Sequence, residues 1–117
     1  MLARAISRWN RQSPRKMRLV IDLIRGKNVG EAYAILQFSK KKAADVIDKT
    51  LRSAVANARA KAEDQGEFVD VDELYVSEAF VNEGARLKRW RAAAQGRAAP
   101  ITHPTSHVVI VVDRKKD

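Results

Sequence analysis

The chain has 117 residues, which is enough for one domain, and although 45% are hydrophobic many of these are alanine, so the expected core is thin. Lysine and arginine number 23 against 14 acids, leaving a formal charge of +9 and an isoelectric point near 10.3, so the expected partner is a polyanion. No apolar run approaches the ~20 residues of a spanning helix, the N-terminus does not read as a secretory signal, and without cysteine there is no disulfide framework and no thiolate zinc site.

The signs of the charges are sorted along the chain. Met1 to Lys27 carries eight basic residues and one acid, Asp22. Asn28 to Gln65 is mixed. Gly66 to Glu83 has six acids (Glu67, Asp70, Asp72, Glu73, Glu78, Glu83) and no base, whereas Gly84 to Val112 has five bases (Arg86, Lys88, Arg89, Arg91, Arg97) and no acid. A merely soluble surface intersperses its signs. Sorting implies basic surfaces that meet a polyanion and an acidic one held away from it.

In chain order, Leu2 to Arg8 alternates weakly and predicts a short edge strand. Ser13-Pro14 is a helix start, with serine at the N-cap and proline at the first helical position. Met17, Val20, Ile21 and Ile24 follow at helical spacing, with Arg15, Arg18, Asp22 and Arg25 on the other side and Gly26 placed to end the helix. Asn28 with Glu31 resembles a capping pair for a second helix through Phe38, with Val29, Ala32, Ile35 and Leu36 facing inward. Ser39 can cap a long third helix from Lys40 to about Ala62, striped by Ala43, Ile47, Leu51, Ala54, Val55, Ala58 and Ala62. Gly66 ends the helical half. Val69 and Val71 then alternate with acids, and Leu74, Val76 and Phe80 share one strand face, with Tyr75, Ala79 and Val81 opposite. The change of parity between Val71 and Leu74 predicts a bulge or bend. Thr105 to Asp113 is a β-branched run suited to a covered strand.

Three helices and a small antiparallel sheet make the class α+β. Asn82 to Pro104 is basic, alanine-rich and free of any apolar stripe. The strands on either side of it predict a long projecting β-hairpin, about 84–104, on a globular part formed by 1–83 and 105–117, all within a single domain. The hairpin tip is expected at Arg91, Ala92, Ala93, Ala94, Gln95, Gly96 and Arg97. A two-stranded ribbon of this length is not stable alone, so it is expected to be ordered by whatever it binds.

Cations crowd two predicted helix starts, Arg15, Lys16 and Arg18 at the first and Lys40, Lys41 and Lys42 at the third, although the positive end of the helix dipole disfavours them. Free N–H donors together with basic side chains make a phosphate site; the plainer alternative is that these chains point into water. Trp90, between Arg89 and Arg91, is suited to stacking on an unpaired base. Trp9, between Arg8 and Arg11, is either similar or a core residue.

Enzymatic readings fail on spacing. Pro104 lies between His103 and His107, so they are not a helical metal pair. Ser106 and His107 are adjacent in a strand and point to opposite faces. Gly26-Lys27-Asn28 lacks the serine or threonine that a phosphate-binding loop requires after Gly-Lys. No cofactor and no metal is expected.

Ser13-Pro14-Arg15-Lys16-Met17-Arg18-Leu19-Val20, Leu23-Ile24-Arg25-Gly26-Lys27, Lys41-Lys42-Ala43-Ala44 and Ser53-Ala54-Val55-Ala56-Asn57-Ala58 occur in order. After them come Ala79-Phe80-Val81, Glu83-Gly84, Leu87-Lys88-Arg89, Gly96-Arg97-Ala98 and Thr105-Ser106-His107. This ordered set, from about Ala3 to Val112, resembles the bacterial form of the universal large-subunit ribosomal protein family numbered twenty-two. The resemblance implies a structural rRNA-binding protein, cytoplasmic and ribosomal, that helps subunit assembly and whose hairpin lines the polypeptide exit tunnel. Its expected partners are large-subunit rRNA, neighbouring large-subunit proteins and the nascent polypeptide, with no membrane. The residues so marked for rRNA are Arg11, Arg15, Lys16, Arg18, Arg25, Lys27, Arg86, Lys88, Arg89, Trp90, Arg91, Arg97 and His107.

The chain departs from the family in the hairpin. Ala85 stands where proline is usual, and Ala92, Ala93 and Ala94 follow Arg91 where a proline and a basic residue are usual. The returning limb Ala99-Pro100-Ile101-Thr102-His103-Pro104 carries no lysine or arginine, which implies fewer phosphate contacts there and a wider or less positive constriction. A non-ribosomal nucleic-acid binder or regulator would use the same charges, and a homodimeric scaffold pairing the acidic segment with a basic one is a more distant reading.

Overall fold

Strand β1 (Ala3–Asn10) opens the chain, followed by α1 (Pro14–Ile21), α2 (Val29–Phe38), α3 (Ala43–Asp64), a 3-10 turn (Val71–Glu73), β2 (Leu74–Glu83), β3 (Leu87–Ala92), β4 (Ala98–His103) and β5 (Ser106–Arg114). The computed structural model describes residues 2–84, 87–92 and 98–114, with 87–92 and 98–103 described as backbone only. The candidates Arg86, Ala93, Ala94, Gln95, Gly96 and Arg97 lie outside the described residues. An antiparallel sheet runs in the order β1-β5-β2, and β3 pairs with β4 as a separate two-stranded ribbon. The class is α+β. The radius of gyration is 17.7 Å and the long axis 67 Å, against about 13 Å for the radius of a compact chain of this length.

The three helices lie on one face of the sheet, α3 across β1 and β5 and α1 against β2. Met17, Val20, Ile21 and Ile24 are fully buried, as their spacing predicts, and the α3 stripe from Ala43 to Ala62 is buried throughout. Alanine at four of the seven stripe positions lets α3, about 33 Å long at helical rise, lie close to the strands. The core face of the sheet is made by Ala3, Ala5, Val76, Ala79, Val81, Val108, Ile110 and Val112, with β1 and β5 under α3 and β2 under α1 and α2.

Boundaries differ from the sequence reading where turns compete with helix. Helix α1 ends at Ile21 rather than near Gly26, because Leu23 and Ile24 donate to the carbonyls of Val20 and Ile21 at 3.1 and 3.2 Å and tighten the chain into a turn. Gly26, at φ 78°, closes that turn. Asn28 stands at the N-cap of α2 without a side-chain capping bond and is bridged instead to Tyr75. Helix α3 begins at Ala43, so Lys40, Lys41 and Lys42 form the preceding turn rather than its first residues, with Ser39 Oγ accepting from Lys41 N–H at 3.3 Å. At the other end Gly66 adopts φ 72°, and the bonds from Gly66 to Glu63 and Glu67 to Ala62, 3.0 and 2.8 Å, form a Schellman closure.

The parity of β2 needs correction. The 3-10 turn Val71–Glu73 supplies the bend expected before Leu74, but a second irregularity, which the sequence reading missed, lies within β2 between Val76 and Glu78. Ser77 is the extra residue, so Ala79 and Val81 join Leu74 and Val76 in the core, and Phe80 turns to the open face of the sheet, 39% exposed.

Candidate nucleic-acid interface

The turn before α3 folds beside the start of α1, and this brings together two basic groups that lie far apart in sequence. Arg11, Gln12, Ser13, Lys16, Leu19, Lys41, Lys42, Ala43 and Pro104 line a cleft of about 590 Å³. Four of the lining side chains are cationic and none is acidic. Ser13 makes no side-chain capping bond and Pro14 has no N–H, so the first-turn amides of α1 at Arg15 and Lys16 are not claimed by the cap. Four cations therefore line one concavity beside the start of α1, an arrangement suited to a phosphate chain. The acids from Glu63 to Glu73 lie in and after the last turn of α3, about a helix length away.

Arg18 and Arg25 play a different part. Arg18 donates from Nε and Nη2 to the carbonyl of Val81 at 3.2 and 2.8 Å. Arg25 does the same to Ala79 at 3.0 and 2.6 Å, and its Nη1 pairs with Asp22 at 2.8 Å. The backbone of Lys27 accepts from Val76 N–H at 2.9 Å, leaving its side chain exposed. Of the helix-one candidates, Lys16 and Arg11 line the cleft, Arg15 is exposed beside it, and Arg18 and Arg25 are spent largely on the fold.

A second locus lies on the open face of the sheet. Between Ser7 and Asn10 the β1–β5 register shifts so that Arg8 and Trp9 stand opposite His107 alone. Trp9 takes φ 61°, the one positive φ among described non-glycine residues, a conformation that costs about 1–2 kcal/mol for a residue with a Cβ. Asn10 Nδ2 holds the bulge through the carbonyls of Ser7 and Ser106 at 3.2 and 3.3 Å. Trp9 N–H donates to His107 Nδ1 at 3.1 Å, and the two rings meet edge to face with centroids 4.9 Å apart. Trp9 is 62% exposed, so it is not a core residue. Ser106, the residue before His107, is fully buried, its Oγ donating to Met17 Sδ at 2.8 Å on the other face, so the Ser106–His107 pair is divided as strand geometry predicts. Among the described residues no group of three or more His, Cys, Asp or Glu could hold a metal ion, and no helix is long and apolar enough to cross a membrane.

A family model described as ribosomal protein L22p/L17e matches residues 5–113. The chain belongs to this family. The large ribosomal subunit protein uL22 of Oceanobacillus iheyensis is 53% identical over 117 residues, covering 100% of this chain and 99% of the relative. The uL22 of Lactobacillus delbrueckii subsp. bulgaricus is 55% identical over 115 residues, covering 98% and 94%, and that of Clostridium novyi is 51% identical over 115 residues, covering 98% and 99%. Membership makes the chain a structural ribosomal protein and not an enzyme.

In this family member the ribbon follows the β2–β5 ladder in sequence but pairs as a sheet of its own. The sheet ladder ends with Glu83 opposite Ser106, and the ribbon ladder begins with Leu87 opposite His103. Lys88, Arg89, Trp90, Arg91 and Ala92 lie on β3, with Trp90 opposite Pro100. Two functional features escape a reading of the sequence alone. Gly84 approaches the returning strand so closely that a Cβ there would collide with Thr105 Oγ1 and lie 3.0 Å from His107 Nε2; the Glu-Gly pair is its only signal. The convergence of Lys41 and Lys42 with Arg11 and Lys16 has no local signal at all.

Proposed function

We propose that this chain is a structural component of the large ribosomal subunit, a cytoplasmic particle in bacteria, and that it holds large-subunit rRNA by two basic surfaces. The cleft of Arg11, Lys16, Lys41 and Lys42 takes backbone phosphates of the RNA. The ribbon carrying Lys88, Arg89, Trp90 and Arg91 reaches deeper into the RNA, lines the polypeptide exit tunnel beside the nascent chain, and helps the subunit assemble. The observation that carries the reading is the convergence of four cations and no acid on one cleft of a family member. Neighbouring large-subunit proteins are the expected partners of the acidic end, from which RNA is repelled. Cosedimentation tests this. The protein should remain with large subunits through a high-salt wash and should bind isolated large-subunit rRNA with an affinity that falls steeply with salt. Release by a moderate salt wash, or an affinity indifferent to salt, would overturn it.

A further inference from the structure

We propose that the shallow cavity beside Trp9 receives one unpaired RNA base, stacked on the Trp9 indole, with an adjoining phosphate on Arg8. This rests on the RNA-binding reading above and adds a site to it. The cavity, about 230 Å³, is lined by Ile6, Arg8, Trp9, Asn82, His107 and Val109. It is smaller than the clefts of about 300–1,000 Å³ that enclose drug-sized ligands, and it suits a single planar ring system. Ile6, Val109 and the Trp9 ring give it an apolar lining, Arg8, Asn82 and His107 supply a guanidinium, an amide and an imidazole, and no acid lines it. An apolar lining takes the face of a base, an amide can read its edge, and a cation beside them takes the phosphate.

The backbone supplies the stronger argument. The second of the two bulged residues lies in the left-handed region, where glycine is unstrained. The chain instead has tryptophan there, at φ 61°. The strained residue is secured by Asn10 on one side and by the His107 ring on the other, and its indole still faces solvent. Fold stability alone favours a smaller residue at this position. Strain that the surroundings hold in place, on an exposed aromatic within a basic segment, belongs to a binding site. His107 is here a positioning residue: its Nδ1 fixes the Trp9 backbone, and its ring edge sets the indole plane.

The test uses the full chain and two labelled RNAs of equal phosphate number, a single-stranded oligoadenylate and a self-complementary duplex. Trp9→Gly keeps the bulge, since glycine accepts the positive φ, and removes only the indole. Its affinity for the single strand should fall by about tenfold or more while affinity for the duplex is kept, and Trp9→Phe should recover most of the loss. In a Trp90→Phe background the remaining indole emission should be quenched by the single strand and not by the duplex, a readout that does not depend on how Trp9→Gly folds. Unchanged single-strand affinity, equal loss on both RNAs, or absent quenching would overturn the proposal and leave the cleft reading intact. Failure of the wild-type chain to bind either RNA would overturn both.

Discussion

The guanidinium of Arg18 closes on the carbonyl oxygen of Val81, donating from both Nε and Nη2 at 3.2 and 2.8 Å. That carbonyl lies on the edge of β2 that no strand pairs. Arg25 treats Ala79 in the same way, and Gly26 and Lys27 take both backbone groups of Val76 at 2.9 Å. Helix α1 and its turn thus stand in for a missing fourth strand. An unpaired edge is a template for aggregation, and charge along it is a known remedy. On the far side of the sheet Asn57 Nδ2 donates to the carbonyl of Arg4 at 2.9 Å, so both edges are tended by helix side chains.

Arg18→Ala is therefore expected to weaken the fold. Loss of a forked, charge-assisted bond at a partly exposed site should lower stability by about 1–2 kcal/mol, read as a lower denaturant midpoint at unchanged slope. Arg18→Lys should recover little, because an ammonium has no planar fork to match. Arg15→Ala, on the exposed side of the same helix, should stay within about 0.5 kcal/mol of wild type while weakening RNA binding. Equal stability losses at 15 and 18 would refute this division of labour.

The cleft makes a separate claim about salt. Replacing Lys16, Lys41 and Lys42 together with alanine should reduce the slope of log affinity against log salt by about one for each phosphate that is no longer neutralised. Folding should be unaffected, since all three side chains are exposed. Neutralising Glu67, Asp70 and Asp72 should leave the slope where it was. A slope that responds to the acids and not to the lysines would place the RNA on the wrong end of α3.

What is legible in the sequence follows from period. Helical spacing identifies Met17, Val20, Ile21 and Ile24, and the β-branched run identifies β5, because burial on one face is a local property of spacing. Arg18 and Arg25 read as phosphate ligands because nothing in their own neighbourhood shows that β2 presents carbonyls to them. Phe80 reads as sharing the face of Leu74 and Val76 because one extra residue, Ser77, reverses every later face, and no residue type announces such an insertion. Trp9 stays divided between core and surface for the same reason. Its bulge depends on a partner, His107, 98 residues further on.

Gly84 marks where the ribbon leaves the sheet, and it admits no side chain. Its N–H donates to the Thr105 carbonyl at 2.9 Å, and a methyl group would meet the Thr105 hydroxyl and the ring of His107. The threonine is buried and the histidine is held by Trp9, so neither can readily withdraw. Gly84→Ala should cost about 1–3 kcal/mol by overpacking and should disturb Trp9, visible as a change in its fluorescence in the free protein. Wild-type stability with unchanged emission would show that the junction is looser than this geometry states.

The last prediction concerns register in the ribbon. Leu87 faces His103, Lys88 faces Thr102 and Arg89 faces Ile101. Removing Lys88 and Arg89 together with Ile101 and Thr102 deletes one full pleat from both limbs. Leu87 still faces His103, Trp90 then follows opposite Pro100, and every later side chain keeps its face. Such a ribbon should dock normally with its tip withdrawn by about 7 Å, two residues at strand rise. Removing Leu87, Lys88 and Arg89 from one limb alone deletes an odd number, so the side chains beyond the cut reverse faces and the pairing slips. The globular part should still bind, since neither its cleft nor its core includes these residues, but the tip should be displaced sideways as well as withdrawn. Maps of large subunits assembled with each variant would separate the two outcomes. Amide exchange adds an energetic check. A basic ribbon with little apolar surface gains its ordering energy from phosphates, so Leu87–Ala92 and Ala98–His103 should be far better protected on RNA than in the free protein. Equal protection with and without RNA, or a tip left in place by the matched deletion, would sink the argument that RNA holds the ribbon and that its length sets where it ends.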